Sequence, residues 1–274
     1  VTQYFDENGK QQKGVAVKGS DGHLHYFDGA SGNMLFKSWG RLADGSWLYV
    51  DEKGNAVTGK QTINNQTVYF NDDGRQIKNN FKELADGSWL YLNNKGVAVT
   101  GEQIINGQTL YFGNDGRQFK GTTHINATGE SRYYDPDSGN MITDRFERVG
   151  DNQWAYFGYD GVAVTGDRII KGQKLYFNQN GIQMKGHLRL ENGIMRYYDA
   201  DTGELVRNRF VLLSDGSWVD FGQDGVPVTG VQVINGQTLY FDADGRQVKG
   251  QQRIIGNQRY WMDKDNGEMK KITY

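Results

Sequence analysis

The sequence predicts an all-β protein built as a repetitive β-hairpin solenoid, and three observations predict it. Thirteen glycines, Gly9, Gly32, Gly54, Gly74, Gly96, Gly116, Gly139, Gly161, Gly181, Gly203, Gly225, Gly245 and Gly267, recur at intervals of 20, 22 or 23 residues. Each follows an aromatic-rich run and a polar turn, as in Tyr-Phe-Asp-Ala-Asp-Gly at 240–245. Glycine numbers 38 among 274 residues and proline only 2, so the turns rely on positive φ rather than on a fixed pyrrolidine ring. A hairpin cannot bury its apolar face alone, so neighbouring hairpins must stack. With no linker interrupting the repeat, residues 1–274 are expected to form a single repeat domain of about thirteen hairpin units.

Three unit types alternate. The first carries Tyr-Tyr-Asp followed by Ser-Gly-Asn or Thr-Gly-Glu, at 133–140 and 197–204, with a diverged copy at 26–33. The second starts at Gly-Ser-Trp or Asn-Gln-Trp, with Trp47, Trp89, Trp154 and Trp218, and closes on Val-Thr-Gly. Those tryptophans are expected to seal the solenoid, and Trp39, Phe81, Phe146 and Phe210, at one equivalent position, to be core or corner residues. The third reads Asn-Gly-Gln-Thr-Leu-Tyr-Phe, a turn, then Gly-Arg-Gln-(apolar)-Lys, clearest at 106–120 and 235–249. A longer period of 64 residues separates Gly32 from Gly96, Gly139 from Gly203 and Gly203 from Gly267, which suggests that adjacent units co-operate in one site.

Alternation assigns the faces of the third unit. With a four-residue turn, Phe241 is expected to pair with Arg246, Leu239 with Val248 and Tyr240 with Gln247, so that Tyr, Gln and Lys share one face. The trio recurs as Tyr69, Gln76 and Lys78; Tyr111, Gln118 and Lys120; Tyr176, Gln183 and Lys185; and Tyr240, Gln247 and Lys249. The apolar neighbour drifts (Ile77, Phe119, Met184, Val248), as core packing tolerates, whereas the trio does not. An early copy, Tyr4, Gln11 and Lys13, lacks its preceding unit, which predicts that the chain is a fragment of a longer protein. Thr58, Thr100, Thr165 and Thr229 lie 11 residues before each tyrosine, with Gln61, Gln103, Arg168 and Gln232 three residues after those threonines, and are expected to complete four pockets. A tyrosine ring covers the C–H face of a pyranose, Gln both donates and accepts, and Lys donates without demanding an anion, so the pattern suits a neutral polyhydroxylated ligand; a solvated strand face is the plainer reading.

Aromatics make up 13% of the chain although mean hydropathy is −0.73, so some rings are expected to face solvent or ligand. The 31 basic and 33 acidic residues nearly balance, without a basic block, which disfavours nucleic acid and anionic membranes as partners. No apolar run approaches the ~20 residues of a membrane span, so membrane insertion is not expected. The absence of cysteine excludes disulfides and thiolate metal sites. His23, His25, His124 and His187 share no metal-ligand spacing, and the acidic turns at 135–137 and 242–245 lack the glutamate of a calcium-binding loop. No nucleophile with its base, phosphate loop or isolated carboxylate pair stands out, so no cofactor, metal or catalytic residue is expected.

Ala98-Val-Thr-Gly101, followed by Ile105-Asn-Gly-Gln-Thr-Leu-Tyr-Phe112 and Gly116-Arg-Gln-Phe-Lys-Gly121, resembles the repeats of the glucan-binding domains of bacterial glucansucrases and related glucan-binding proteins, within the wider cell-wall-binding repeat group. The resemblance covers the whole chain. It implies a secreted or cell-surface protein whose ligand is an α-glucan such as dextran or its isomaltooligosaccharides, held where an aromatic ring stacks on glucose beside Gln and Lys. It further implies a catalytic domain elsewhere in the parent chain. Asp220 where a unit expects Tyr, and Arg168 where it expects Gln, depart from the pattern. Two rivals are a choline-binding module for wall teichoic acids and a structural spacer. The former commonly has Thr-Gly-Trp at the junction, where this chain has Lys60, Glu102, Asp167 or Val231 after Thr-Gly.

Overall fold

Residues 1–273 are described by a computed structural model. Among them every regular element is a β-strand of three to six residues, arranged as two-stranded antiparallel hairpins, with one three-stranded sheet at Gln251–Ile255, Gln258–Met262 and Met269–Lys271. The all-β hairpin repeat therefore stands as expected. The chain divides into two compact units, Val1–His124 with Tyr133–Ile142, and Ile125–Arg132 with Thr143–Tyr274.

Hairpin tips follow from turn chemistry. In the hairpin of Gly101–Ile105 and Gln108–Phe112, Asn106 and Gly107 take φ of 53° and 77°, the pair of left-handed residues that a two-residue type I′ turn requires. The same tip joins Gly230–Ile234 to Gln237–Phe241 through Asn235 and Gly236. These tips set the register: Tyr111 faces Glu102, Tyr69 faces Lys60, Tyr176 faces Asp167 and Tyr240 faces Val231.

The second turn, which carries the periodic glycine, is one residue longer than the alternation implies. Asp242 donates its amide to the carbonyl of Arg246 at 2.9 Å, and its carboxylate accepts from the amides of Asp244 and Arg246, both at 2.9 Å. Gly245, at φ 77°, closes this Asx-type loop. Phe241 consequently bridges Gln247 rather than Arg246, and the Val248 amide donates to the Tyr240 carbonyl. A one-residue slip exchanges faces. The expected grouping of Tyr with Gln and Lys is corrected accordingly: Tyr240 shares its face with Val248, and Gln247 shares that of the buried Phe241.

Each segment after such a turn adds backbone bonds to an earlier hairpin. In the first unit the Gln118 amide donates to the Trp89 carbonyl at 2.8 Å and Ala98 to Thr67 at 2.8 Å; in the second, Gln183 donates to Trp154 at 2.7 Å and Gln247 to Trp218 at 2.8 Å. The apolar interior is a series of local clusters. Ile105, Leu110 and Phe112 form one in the first unit, with Phe81, Tyr91 and Val99 packed against it; Ile170, Leu175 and Phe177 form its counterpart in the second, with Phe146, Tyr156 and Val164. Each buried Phe or Leu contributes roughly 1.5–3 kcal/mol of transfer free energy. Trp39, Phe81, Phe146 and Phe210 are half-buried corner residues, as their shared position predicts; Trp39 meets Phe70 at 5.7 Å and Phe210 meets Phe241 at 6.0 Å between ring centroids.

Candidate functional site

Three kinds of recurrent cluster emerge where the sequence suggests one kind of pocket, repeated four times. In the first, the threonine of Val-Thr-Gly and the glutamine three residues on form a clip: the side-chain amide of Gln61 donates to the Thr58 carbonyl at 2.7 Å, Gln103 to Thr100 at 2.9 Å and Gln232 to Thr229 at 2.7 Å. The threonine side chains are exposed. Arg168 breaks the pattern, donating instead to the carbonyl of Asp167 at 2.9 Å while its side chain stays exposed. Thr58 lines a groove of about 560 Å³ with Ala16, Leu24, Ala56 and the turn at Asp73 and Gly74. Thr165 lines an equivalent groove of about 430 Å³ in the second unit with Ile125, Ser131, Ala163, Asn180 and Gly181. Gln61 faces elsewhere, toward a cleft with Lys37 and Tyr49.

In the second cluster, Gln and Lys reach the turn of the following hairpin. The Gln76 side chain donates to the carbonyl of Lys95 at 3.1 Å, Gln118 to Ser138 at 3.3 Å, Gln183 to Thr202 at 3.1 Å and Gln247 to Asn266 at 2.9 Å. Lys120, Lys185 and Lys249 donate to the carbonyls of Asp137, Asp201 and Asp265 at 2.8–2.9 Å. The same ammonium groups lie over tryptophan rings: Lys78 over Trp47, Lys120 over Trp89, Lys185 over Trp154 and Lys249 over Trp218, at 5.2–5.9 Å from the centroids. Trp154 and Trp218 keep 37% of their surface exposed, so they cap the hairpins with one face open. The constancy of Gln and Lys thus has a structural cause, since Gln in all four copies and Lys in three of them satisfy backbone carbonyls of a turn.

The third cluster surrounds the tyrosines, all half-buried. Tyr111 meets Phe119, its cross-strand neighbour, at 5.0 Å, and stacks on His124 at 3.8 Å and 27°. Tyr69 carries Lys82 Nζ 5.1 Å above its ring, and Tyr176 carries the Arg189 guanidinium 3.8 Å above its ring. Lys82, His124 and Arg189 each lie thirteen residues after their tyrosine, a spacing that sequence reasoning missed although it repeats in the chain. The third copy is the most elaborate. Arg189 donates to Asp167 and to Glu191, each at 3.2 Å, and the Tyr198 hydroxyl donates to the other Asp167 oxygen at 3.0 Å. Burial and then the Asp167 charge push the Tyr198 hydroxyl up to about 12.

Comparison with known proteins fits this architecture. The family model for the choline-binding repeat matches residues 1–39, 57–97, 99–146, 164–210 and 228–274. Glucosyltransferase-S of Streptococcus mutans serotype c is 40% identical over 270 residues, covering 98% of this chain and 16% of that protein. Glucosyltransferase-I of the same organism is 43% identical over 250 residues, covering 91% of this chain and 14% of its own length. The chain thus spans only 14–16% of the length of these relatives. Choline binding protein F from Streptococcus pneumoniae superposes with a TM-score of 0.53 at 19% identity, over 93% of this chain and 98% of that one, a likeness of fold. With the hairpin repeat and a family model that covers most of its length, the chain belongs to the choline-binding repeat family.

Proposed function

We propose that the chain binds α-glucan of the dextran type, including isomaltooligosaccharides, at several stations and without turning it over, serving a catalytic domain of a longer, secreted or cell-surface protein. The observation that carries this reading is the match of 98% of the chain, at 40% identity, to a stretch making up 16% of a glucosyltransferase. The stations are Tyr69, Tyr111, Tyr176 and Tyr240, the third of them covered by Arg189, with the exposed Thr58, Thr100, Thr165 and Thr229 adding hydroxyls. Gln61, Gln103, Arg168 and Gln232 pair across each hairpin with the residue before the tyrosine and so sit on the other face of the strand, while Gln76, Gln118, Gln183 and Gln247 with Lys120, Lys185 and Lys249 hold turns of the following hairpins and Lys78 lies over Trp47. A half-buried ring offers a face to a pyranose once the side chain over it, Lys82, His124 or Arg189, is displaced, and repeated weak contacts add through effective concentration. In this reading residues 1–274 act as one multivalent repeat domain.

The family match favours one second reading, a choline module acting on cell-wall teichoic acid. Retention on dextran beads with flow-through on a choline matrix is the expected outcome; the reverse selects the second reading, and flow-through on both leaves a structural spacer.

A further inference from the structure

The environment of Arg189 is a complete cation site. Two carboxylates, Asp167 and Glu191, accept from its two terminal nitrogens at 3.2 Å each, and the Tyr176 ring lies 3.8 Å beneath its central carbon. Tyr198, fully buried, fixes Asp167 through a 3.0 Å hydrogen bond and meets Tyr176 at 5.8 Å between centroids. Carboxylates supply charge and paired acceptors, and an aromatic face supplies the quadrupole on which a planar guanidinium stacks. All four lining residues and Arg189 belong to the second unit.

The other copies lack this lock. Opposite Tyr69 stands Lys60, and opposite Tyr240 stands Val231, so neither has the acid that Asp167 provides. Tyr111 does face Glu102, yet among the described residues neither His124 nor Lys82 has a carboxylate within ion-pair distance. Lys82 and His124 thus cover their rings without an ion pair, whereas Arg189 must break two to leave its own.

We propose that Asp167, Glu191, Tyr176 and Tyr198 form a site for guanidinium-type cations whose resident occupant is the chain's own Arg189, which covers the third tyrosine until it is displaced. Removing the arginine side chain frees Asp167 and the Tyr176 face, while Glu191 keeps its second partner Arg196 at 3.5 Å, so Arg189→Ala should bind methylguanidinium at least about tenfold more tightly than the wild type, read by calorimetric titration of the full chain. The gain should vanish in the Asp167→Asn, Arg189→Ala double variant. A folded Arg189→Ala protein that binds methylguanidinium no better than wild type overturns the proposal.

A measurement on the unmodified protein stands beside it. Phenylglyoxal labelling followed by peptide mass spectrometry should modify the exposed Arg168 at least about tenfold faster than Arg189. Equal rates overturn the proposal whether or not the variant folds. The closure of the third station rests on the α-glucan reading: Arg189→Ala should then also be retarded more strongly in dextran gels than the wild type. A wild type that dextran does not retard counts against that reading alone, and leaves the cation site to the methylguanidinium and labelling results.

Discussion

The side-chain amide of Gln183 donates to the Thr202 carbonyl and occupies the space that a β-carbon on Gly203 would need. The same relationship holds between Gln76 and Gly96, Gln118 and Gly139, and Gln247 and Gly267. These glycines therefore serve twice, supplying positive φ, 73° at Gly203, and clearing room for the latch. Gly203→Ala should destabilise the second unit by on the order of 2 kcal/mol, from left-handed strain and the displaced amide. Chemical unfolding checks this, and a variant within error of the wild type contradicts it.

Gln183 itself is among the most buried polar side chains, 9% exposed. Gln183→Ala leaves the Thr202 carbonyl unpaired and should cost about 1 kcal/mol or more. If the glutamine acted on ligand alone, the unfolding midpoint would not move.

Acid should act through a second repeated contact. The Asp44 and Asp215 carboxyls are held down at about 2, first by the hydroxyls and amides of Ser46 and Ser217 and then by Arg75 and Arg246. Their folded values lie below the ordinary ~3.9. The stability they contribute is therefore present above about pH 4 and lost as pH falls toward 2. The thermal midpoint of the wild type should decline across that window by more than that of the Asp44→Asn, Asp215→Asn variant. Equal declines would show these groups to be uninvolved.

Asp220 shifts the other way. It faces Phe210 in its hairpin, at the position that Tyr49, Tyr91 and Tyr156 occupy in the equivalent copies, and burial pushes its carboxyl up. With a raised folded value, the protonated form is favoured below the unfolded value, and ionisation penalises the fold as pH rises. Asp220→Asn should therefore raise the thermal midpoint at pH 7 and change it little at pH 3. A lower midpoint at pH 7 would mean that the carboxylate has a partner worth more than its desolvation.

Much of the fold was legible because turn chemistry is local. Asn106-Gly107 between alternating runs announces a type I′ hairpin, and the glycine period announces the stacking. The grouping of side chains was not, because it depends on loop length: the Asp242 carboxylate draws Arg246 into the turn, and one extra residue moves Gln247 to the face of Phe241. The Arg189 cluster was hidden for a different reason. Its members come from two hairpins, so the contact lies outside any single alternating segment, and only the thirteen-residue spacing from Tyr176 to Arg189 points to it.

Multivalency predicts how affinity depends on ligand length. One stacked ring with a few hydrogen bonds competes with water and corresponds to a Kd on the order of millimolar, about −4 kcal/mol. Linked stations on one polymer raise avidity by roughly 10²–10⁴. Long dextran should thus bind far more tightly than short isomaltooligosaccharides in calorimetric titrations, and equal molar affinity for both would contradict multivalent binding.

The central claim, that repeated tyrosines hold α-glucan, is tested most directly by affinity electrophoresis in dextran gels. The wild type should be retarded, and the Tyr69→Ala, Tyr111→Ala, Tyr176→Ala, Tyr240→Ala protein should migrate freely while keeping its β-sheet circular dichroism. An unretarded wild type, or a folded quadruple variant retarded as strongly as the wild type, contradicts the account.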